Sequence, residues 1–164
     1  MTLQITLCAT PFRYEVPYFY FETLEEYQDK YKKQFDRYHC EEYELQYIDG
    51  CGIVWILWKA CKEDAFKLLK IIEEEIITTE EDAIKLYVCT QINGDTLDDA
   101  LNRYEDINLF HGSMHDYAYE VFPWEQIPEW AHTFIDIDQY VTDLSCNGDI
   151  YELDGDLDGW CVIR

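Results

Sequence analysis

No lysine follows Lys85 in this sequence, and Arg103 and Arg164 are the only Lys or Arg side chains in residues 86–164. The same stretch contains 17 Asp and Glu residues, whereas residues 1–85 contain 18 acidic and 10 basic residues. Self-repulsion of this kind lowers the stability of a compact fold. The second half of the chain is therefore predicted to fold with a surface that presents negative potential.

Over all 164 residues, 35 acidic and 12 basic side chains leave a net charge of −23. A net charge of roughly 2–8 keeps a small domain in solution, so the excess points to a function. It argues against direct binding of nucleic acid or an anionic membrane, and favours a basic partner, a cation or a halophilic environment. Eight lysines and seven cysteines fit a halophilic protein poorly. A composition that is 48% hydrophobic, with 14 Tyr, 8 Phe and 5 Trp, excludes a disordered acidic tail.

The seven cysteines are an odd number, include no Cys-x-x-Cys pair and lie mostly in apolar segments. Free cysteine behaves as a small buried hydrophobic residue. No signal peptide is recognised, and the apolar run Gly52–Trp58 is too short to span a bilayer. These features predict a reduced, cytoplasmic protein.

The first part of the chain carries signals for strands and one helix. Residues 3–10 and 18–21 are predicted strands. Thr23 followed by Glu26 has the form of a capping box, which predicts a helix over residues 24–39.

The next part of the chain begins with a strand pattern and then becomes helical. Residues 41–50 alternate as a strand that ends in an Asp-Gly turn, and Gly52–Trp58 fits either a buried strand or the start of a helix. From Lys62 to about Asn108 the periodicity is helical, and two threonines are predicted N-caps, Thr79 and Thr96.

The last third of the chain contains signals for strands and for helices. Residues 107–113 form a short strand candidate, and Ser113 with Asp116 predicts a second capping box. Pro123 and Pro128 bound a loop. A helix over residues 135–146 is predicted to end at Asn147-Gly148, and two short strands follow, 149–153 and 159–164. The fold class is thus α+β, with predicted domains 1–60 (sheet plus helix), 61–106 (helical) and 107–164 (α+β with a closing hairpin).

Asp154–Gly159 reads Asp-Gly-Asp-Leu-Asp-Gly, which is how an EF-hand calcium loop begins. The bidentate Glu of such a loop would fall at residue 165, and residues 160–164 resemble a strand rather than an exiting helix. A hairpin loop with Asp-Gly turn chemistry is the simpler interpretation. Its aspartates would also add to the negative surface.

Other motifs have weak chemical interpretations. His111 and His115 are spaced as a zinc pair, but Gly112 interrupts the helix and no third ligand is evident. Asp136 and Asp138 could serve acid–base hydrolysis, although helix-dipole stabilisation explains them more simply. The acidic run 73–82 is a solvated helix end or part of a functional acidic face. With no Gly-x-Ser-x-Gly, P-loop or dinucleotide-binding fingerprint, we expect no enzyme, no catalytic residue, no metal and no cofactor.

Residues 114–122 form an acidic, aromatic segment, and residues 127–151 contain in order a proline, an Ile-Asp-Ile step, an Asp-Leu helix end and an Asn-Gly turn. In this order of motifs, and over nearly its full length, the chain resembles the ArdA antirestriction family. Residues 3–10 and 41–50 are similar to the family's first domain. Two segments depart from the pattern: Tyr47-Ile48-Asp49 replaces an acidic step, and Pro123–Pro128 shortens or changes a stretch that lies within the antirestriction motif of the family.

The resemblance implies an elongated, three-domain homodimer that mimics DNA, with its dimer contact in the last third. Proteins of this family come from mobile genetic elements in bacteria and occupy the DNA-binding groove of type I restriction–modification enzymes. B-DNA carries one negative charge per about 1.7 Å, so a net charge of −23 matches about 40 Å of duplex. Exposed carboxylates would replace phosphates, and we expect these to be Asp95, Asp98, Asp99, Glu105, Asp106, Asp116, Glu120, Glu125, Glu129, Asp136, Asp138 and Asp143.

Two alternatives remain open from the sequence. The chain could be an acidic inhibitor or binding module for another DNA-binding defence nuclease or basic protein. It could also be a calcium-dependent protein that uses the Asp154–Gly159 loop.

Overall fold

The structure is a computed structural model that describes residues 3–62 and 64–164. The fold is α+β, as predicted. The chain divides into two units: the first ends at Tyr104, and the second is Glu105–Arg164. This boundary lies two residues from the predicted one after residue 106. Residues 1–60 and 61–106 fall within one unit by this division, so their separation into two domains stays a prediction.

A three-stranded antiparallel sheet forms in the first unit, with β1 (Ile5–Pro11) between β2 (Phe19–Phe21) and β3 (Tyr43–Gly50). Leu7 pairs with Phe21 on one side, and both side chains are buried. Successive side chains point to opposite faces of a strand, so Tyr20 is exposed while its neighbours in β2 are buried. The predicted strands are confirmed.

Helix α1 (Leu24–Tyr38) begins where the sequence predicted. The Thr23 hydroxyl accepts a hydrogen bond from the Glu26 amide at 3.1 Å. The predicted capping box is wrong in its second half, because the Glu26 carboxylate accepts from the Glu22 amide instead of the Thr23 amide. Lys30 holds that carboxylate through an ion pair one helical turn away.

The segment Gly52–Ala60, which the sequence left open, is helix α2. Its Val54 and Leu57 are fully buried. Three further helices follow as the periodicity predicted, α3 (Ala65–Glu73), α4 (Glu80–Tyr87) and α5 (Leu97–Arg103). The hydroxyls of Thr79 and Thr96 cap α4 and α5, which confirms both predicted N-caps.

The second unit contains an antiparallel sheet in the order β4 (Asn108–His111), β6 (Trp160–Ile163), β5 (Ile150–Glu152). Helices α6 (Met114–Val121) and α7 (Ile137–Asn147) pack against each other. The predicted loop between Pro123 and Pro128 contains a 3-10 turn at Trp124–Gln126, and a second 3-10 segment, Glu129–Phe134, leads to α7. The glycine stop at Asn147-Gly148 is confirmed, since Gly148 is left-handed at φ 79°.

The Asp154–Gly159 segment connects β5 to β6, so the predicted hairpin is confirmed. A 3-10 turn, Gly155–Leu157, forms its centre, and Gly155 and Gly159 adopt positive φ values of 67° and 87°. The Leu157 side chain is buried, whereas the three aspartates around it are exposed. The buried Leu157 side chain therefore anchors the loop, and the carboxylates of the three aspartates remain in solvent.

Candidate functional site

The second unit carries almost all of its charge as exposed carboxylate. Residues 105–164 are all described and contain 14 Asp and Glu against Arg164 as the one Lys or Arg. Every one of the fourteen carboxylate residues is exposed. Because these charges share one sign, their potentials add around the unit. We call these fourteen residues the acidic surface: Glu105, Asp106, Asp116, Glu120, Glu125, Glu129, Asp136, Asp138, Asp143, Asp149, Glu152, Asp154, Asp156 and Asp158.

Nine of the twelve predicted phosphate mimics belong to the acidic surface. The other three, Asp95, Asp98 and Asp99, lie around the start of α5 in the first unit. Lys67 Nζ binds the Asp98 carboxylate at 2.7 Å, and the Thr96 hydroxyl donates to that of Asp99 at 2.6 Å. Asp95 is the least suited to contact a partner, because only 20% of its side chain is exposed and Arg103 lies 3.7 Å away.

The start of α6 shows how one acidic residue serves structure as well as charge. The Ser113 hydroxyl accepts from the Asp116 amide at 3.1 Å, and the Asp116 carboxylate accepts from the Ser113 amide at 3.0 Å. The predicted capping box is therefore confirmed. The Ser113 hydroxyl and then its amide hold the pKa of Asp116 below the usual aspartate range, so this carboxylate stays charged.

Ser113→Ala is expected to lower the free energy of unfolding by about 1 kcal/mol at neutral pH, because α6 loses its N-cap. A carboxylate whose pKa falls on folding stabilises the protein above its unfolded pKa, and this contribution is lost as the pH falls through the folded pKa. The difference between wild type and variant should therefore shrink when urea unfolding is repeated at pH 3. Ser145→Ala, at an exposed position of α7, is the control and should not change the free energy of unfolding at neutral pH or at pH 3. An undiminished difference at pH 3 would contradict the role assigned to Asp116.

The start of α7 is organised by Asp136 and Asp138. Asp136 is the N-cap, and its carboxylate accepts from the Gln139 amide at 3.0 Å. Asp138 lies 3.7 Å from the His115 ring on α6. These contacts favour the helix-terminus interpretation of the two aspartates over an acid–base pair, since one carboxylate is engaged with the backbone.

The two histidines that are spaced as a zinc pair contact different partners. The His111 ring packs on Trp160 with centroids 4.8 Å apart, while His115 faces Asp138. Within residues 3–62 and 64–164, no three His, Cys, Asp or Glu side chains come together as metal ligands. The same holds for the Asp154–Gly159 loop.

Two features of the candidate site were not among the predicted site residues. Asp149 and Glu152 are as exposed as the predicted carboxylates, and so are Asp154, Asp156 and Asp158, which the sequence had assigned to a hairpin loop that could add to the negative surface. Trp130 and Phe134, in the 3-10 segment before α7, leave 75% and 78% of their surface exposed. A tryptophan two positions after Pro128, with an aromatic residue four positions later, was the available signal.

Comparisons of this chain with protein-family models, with curated proteins and with solved structures found no match. No described helix is both long and apolar enough to cross a bilayer. What the acidic surface does must therefore be argued from its charge, exposure and geometry.

Proposed function

We propose that this protein is a DNA mimic, an acidic protein that occupies a basic, DNA-binding groove without turnover. The observation that carries the proposal is the acidic surface, with fourteen exposed carboxylates and one Lys or Arg in 60 residues. The uncompensated charge of 13 equals that of about 22 Å of duplex at one charge per about 1.7 Å. A groove that binds phosphates with Lys and Arg would bind such a surface by the same electrostatics.

The particular proposal is an ArdA-like inhibitor of type I restriction–modification enzymes. Three things support it: the order of motifs in residues 114–151, the charge, and a general property of DNA-binding grooves. The groups of such a groove that contact phosphates do not read bases. Fixed carboxylates need only imitate the phosphate pattern, which is common to every DNA sequence. The mechanism is competitive occupancy, with no covalent chemistry and no cofactor.

Plating of unmodified phage tests this function. A host with an active type I system should be infected more efficiently when it expresses the protein. In a purified assay, excess duplex DNA should displace the protein from the enzyme, because both would occupy one groove. Unchanged restriction across several type I systems would refute the target. Binding that duplex DNA does not displace would instead indicate an acidic module for some other site on a basic protein.

The proposal includes a homodimer whose contact uses Trp130 and Phe134. Large aromatic side chains dominate protein interfaces, and these two are the most exposed apolar side chains of the second unit. Because two acidic copies repel each other, salt should favour the dimer. Sedimentation at about 150 mM salt should show a dimer for the wild type and a monomer for Trp130→Ser with Phe134→Ser. Tyr14→Ser, at a 99% exposed position in the first unit, is the control. A wild-type monomer would refute this contact.

A further inference from the structure

Helix α1 carries a local positive charge in a chain that is otherwise strongly acidic. Four of the twelve Lys and Arg residues lie in its second half, Lys30, Lys32, Lys33 and Arg37. Asp36 is the one acidic residue in residues 30–37, so four basic and one acidic side chain give this segment a formal charge of +3. This charge has the opposite sign to the acidic surface, so DNA mimicry does not explain it.

A surface pocket of about 360 Å³ lies beside this part of α1, within the first unit. Residues three, four and seven positions apart share one face of a helix, and such a stripe forms the α1 side of the pocket: Lys30, Lys33, Gln34 and Arg37. Pro17 and Phe19 face it from the chain that leads into β2. The lining includes three basic side chains and no acidic one. Small-molecule sites usually have volumes of about 300–1,000 Å³, so the pocket has room for a small organic ligand.

Two of the three cations of the pocket have no counter-ion. Lys30 is already engaged, because its ammonium donates to the Tyr20 carbonyl at 2.6 Å and pairs with Glu26. Lys33 and Arg37 are exposed, and neither forms an ion pair with a described carboxylate. The Arg37 guanidinium lies 5.1 Å from the centroid of the Tyr38 ring, a contact that leaves its charge without a counter-ion. Both cations are therefore available to an anion that enters the pocket.

The end of α1 does not account for these two cations. The Tyr38 carbonyl accepts from Arg13 Nη1 at 3.2 Å, and the Phe35 carbonyl accepts from the His39 amide at 2.8 Å. Two of the last carbonyls are thus bound by other donors. The helix dipole favours Arg37 at this end, but its effect falls off within the last turn and does not extend to Lys33.

The opposite side of the pocket is apolar and held in place. Phe19 is 8% exposed, and its ring centroid lies 5.4 Å from that of Tyr43 in β3. Gln34 Nε2 donates to the Pro17 carbonyl at 3.3 Å, which ties α1 to this side. An inorganic anion would leave the apolar side uncovered, whereas a ligand with a flat apolar body would cover it.

A carboxylate is the anion that best fits an arginine fork, because the two groups form a planar, bidentate pair. We propose that this pocket binds a small aromatic carboxylate, with its carboxylate on Arg37 and Lys33 and its ring against Pro17 and Phe19. This inference is independent of the proposed DNA mimicry.

Calorimetry with 2-naphthoate tests the site on the full-length protein. Binding should saturate at one equivalent, and 2-naphthamide, which has the same shape without the charge, should give no saturable heat. Acetate, which lacks the ring, should bind at least about tenfold more weakly. Arg37→Gln removes the bidentate partner and should weaken naphthoate binding about tenfold or more. Arg37→Lys keeps the charge without the planar fork, so its affinity should fall between those of wild type and Arg37→Gln.

Lys32→Gln is the matched control. It removes the same charge from an exposed position of α1 that does not line the pocket, and should alter the affinity less than about twofold. Equal weakening by Arg37→Gln and Lys32→Gln would reduce the effect to general attraction by the basic helix and overturn the site. Binding without saturation, or equal binding of the amide, would also overturn it.

A second measurement does not depend on any variant. Amide NMR shifts of the wild-type protein should change with 2-naphthoate at Phe19, Gln34 and Tyr38, which lie around the pocket. Shifts confined to residues outside 17–38 would contradict the proposal.

Discussion

A variant with five neutralised carboxylates on the acidic surface is expected to inhibit a type I restriction enzyme far more weakly than the wild-type protein. The five wild-type side chains are exposed, cap no helix and form no hydrogen bond or ion pair with another described residue. The substitutions that neutralise them are Glu105→Gln, Asp106→Asn, Glu120→Gln, Glu125→Gln and Glu129→Gln. If six or more carboxylates replace phosphates, wild-type inhibition should weaken about a thousandfold between about 50 and 200 mM salt. The variant's salt slope should fall by about 0.9 for each neutralised carboxylate that replaces a phosphate in the wild-type complex.

The matched control removes the same number of charges from the first unit. Its five residues are equally exposed: Glu25→Gln, Asp29→Asn, Asp36→Asn, Glu41→Gln and Glu42→Gln. If the acidic surface binds the enzyme, this variant keeps the wild-type salt slope and most of its affinity. If both variants inhibit the enzyme equally weakly, inhibition depends on the total charge of the protein and not on the acidic surface. A wild-type inhibition constant that does not change with salt would end the mimicry hypothesis.

Phe21→Ala is expected to cost about 3–5 kcal/mol of stability in the first unit. The Phe21 side chain is 1% exposed and lies between β1, where it opposes Leu7, and α1, where its ring is 4.9 Å from that of Tyr27. Its removal leaves a cavity between the sheet and the helix that neither can close by repacking alone. Hydrogen exchange of the β1 amides measures the destabilisation, since these protons exchange when the sheet opens.

Tyr20→Ala provides the control on the opposite face of the same strand. Tyr20 is 47% exposed and touches Tyr18, with ring centroids 5.5 Å apart. Its removal should cost about 1 kcal/mol or less, because little apolar surface returns to water. Similar costs at residues 20 and 21 would contradict the alternation of buried and exposed side chains described for β2.

The helix starts were predictable because the interactions that define them span three residues. The hydroxyls of Thr23, Thr79, Thr96 and Ser113 each accept from the amide three positions later, as their sequences indicated. Even so, the reciprocal bond differed at α1, where Glu26 accepts from Glu22 and pairs with Lys30. Rotamers of a long side chain depend on neighbours that a three-residue motif does not specify.

The short apolar run Gly52–Trp58 could not be assigned from sequence. Seven residues without polar alternation suit a buried strand and a buried helix equally well. It folds as α2 because β1, β2 and β3 complete one sheet and the run packs against α4 instead. The helical structure of this run therefore depends on contacts with α4, which begins more than twenty residues after the run ends.

By itself, the sequence determined that the molecule is α+β and that the end of the chain is acidic with almost no counter-charge. Caps, alternation and composition act over a few residues, so they can be read directly. Only the tertiary structure decided which acidic groups face solvent freely. Asp95 is mostly buried beside Arg103, and Leu157 is buried among three exposed aspartates, because burial depends on elements that pack from elsewhere in the chain.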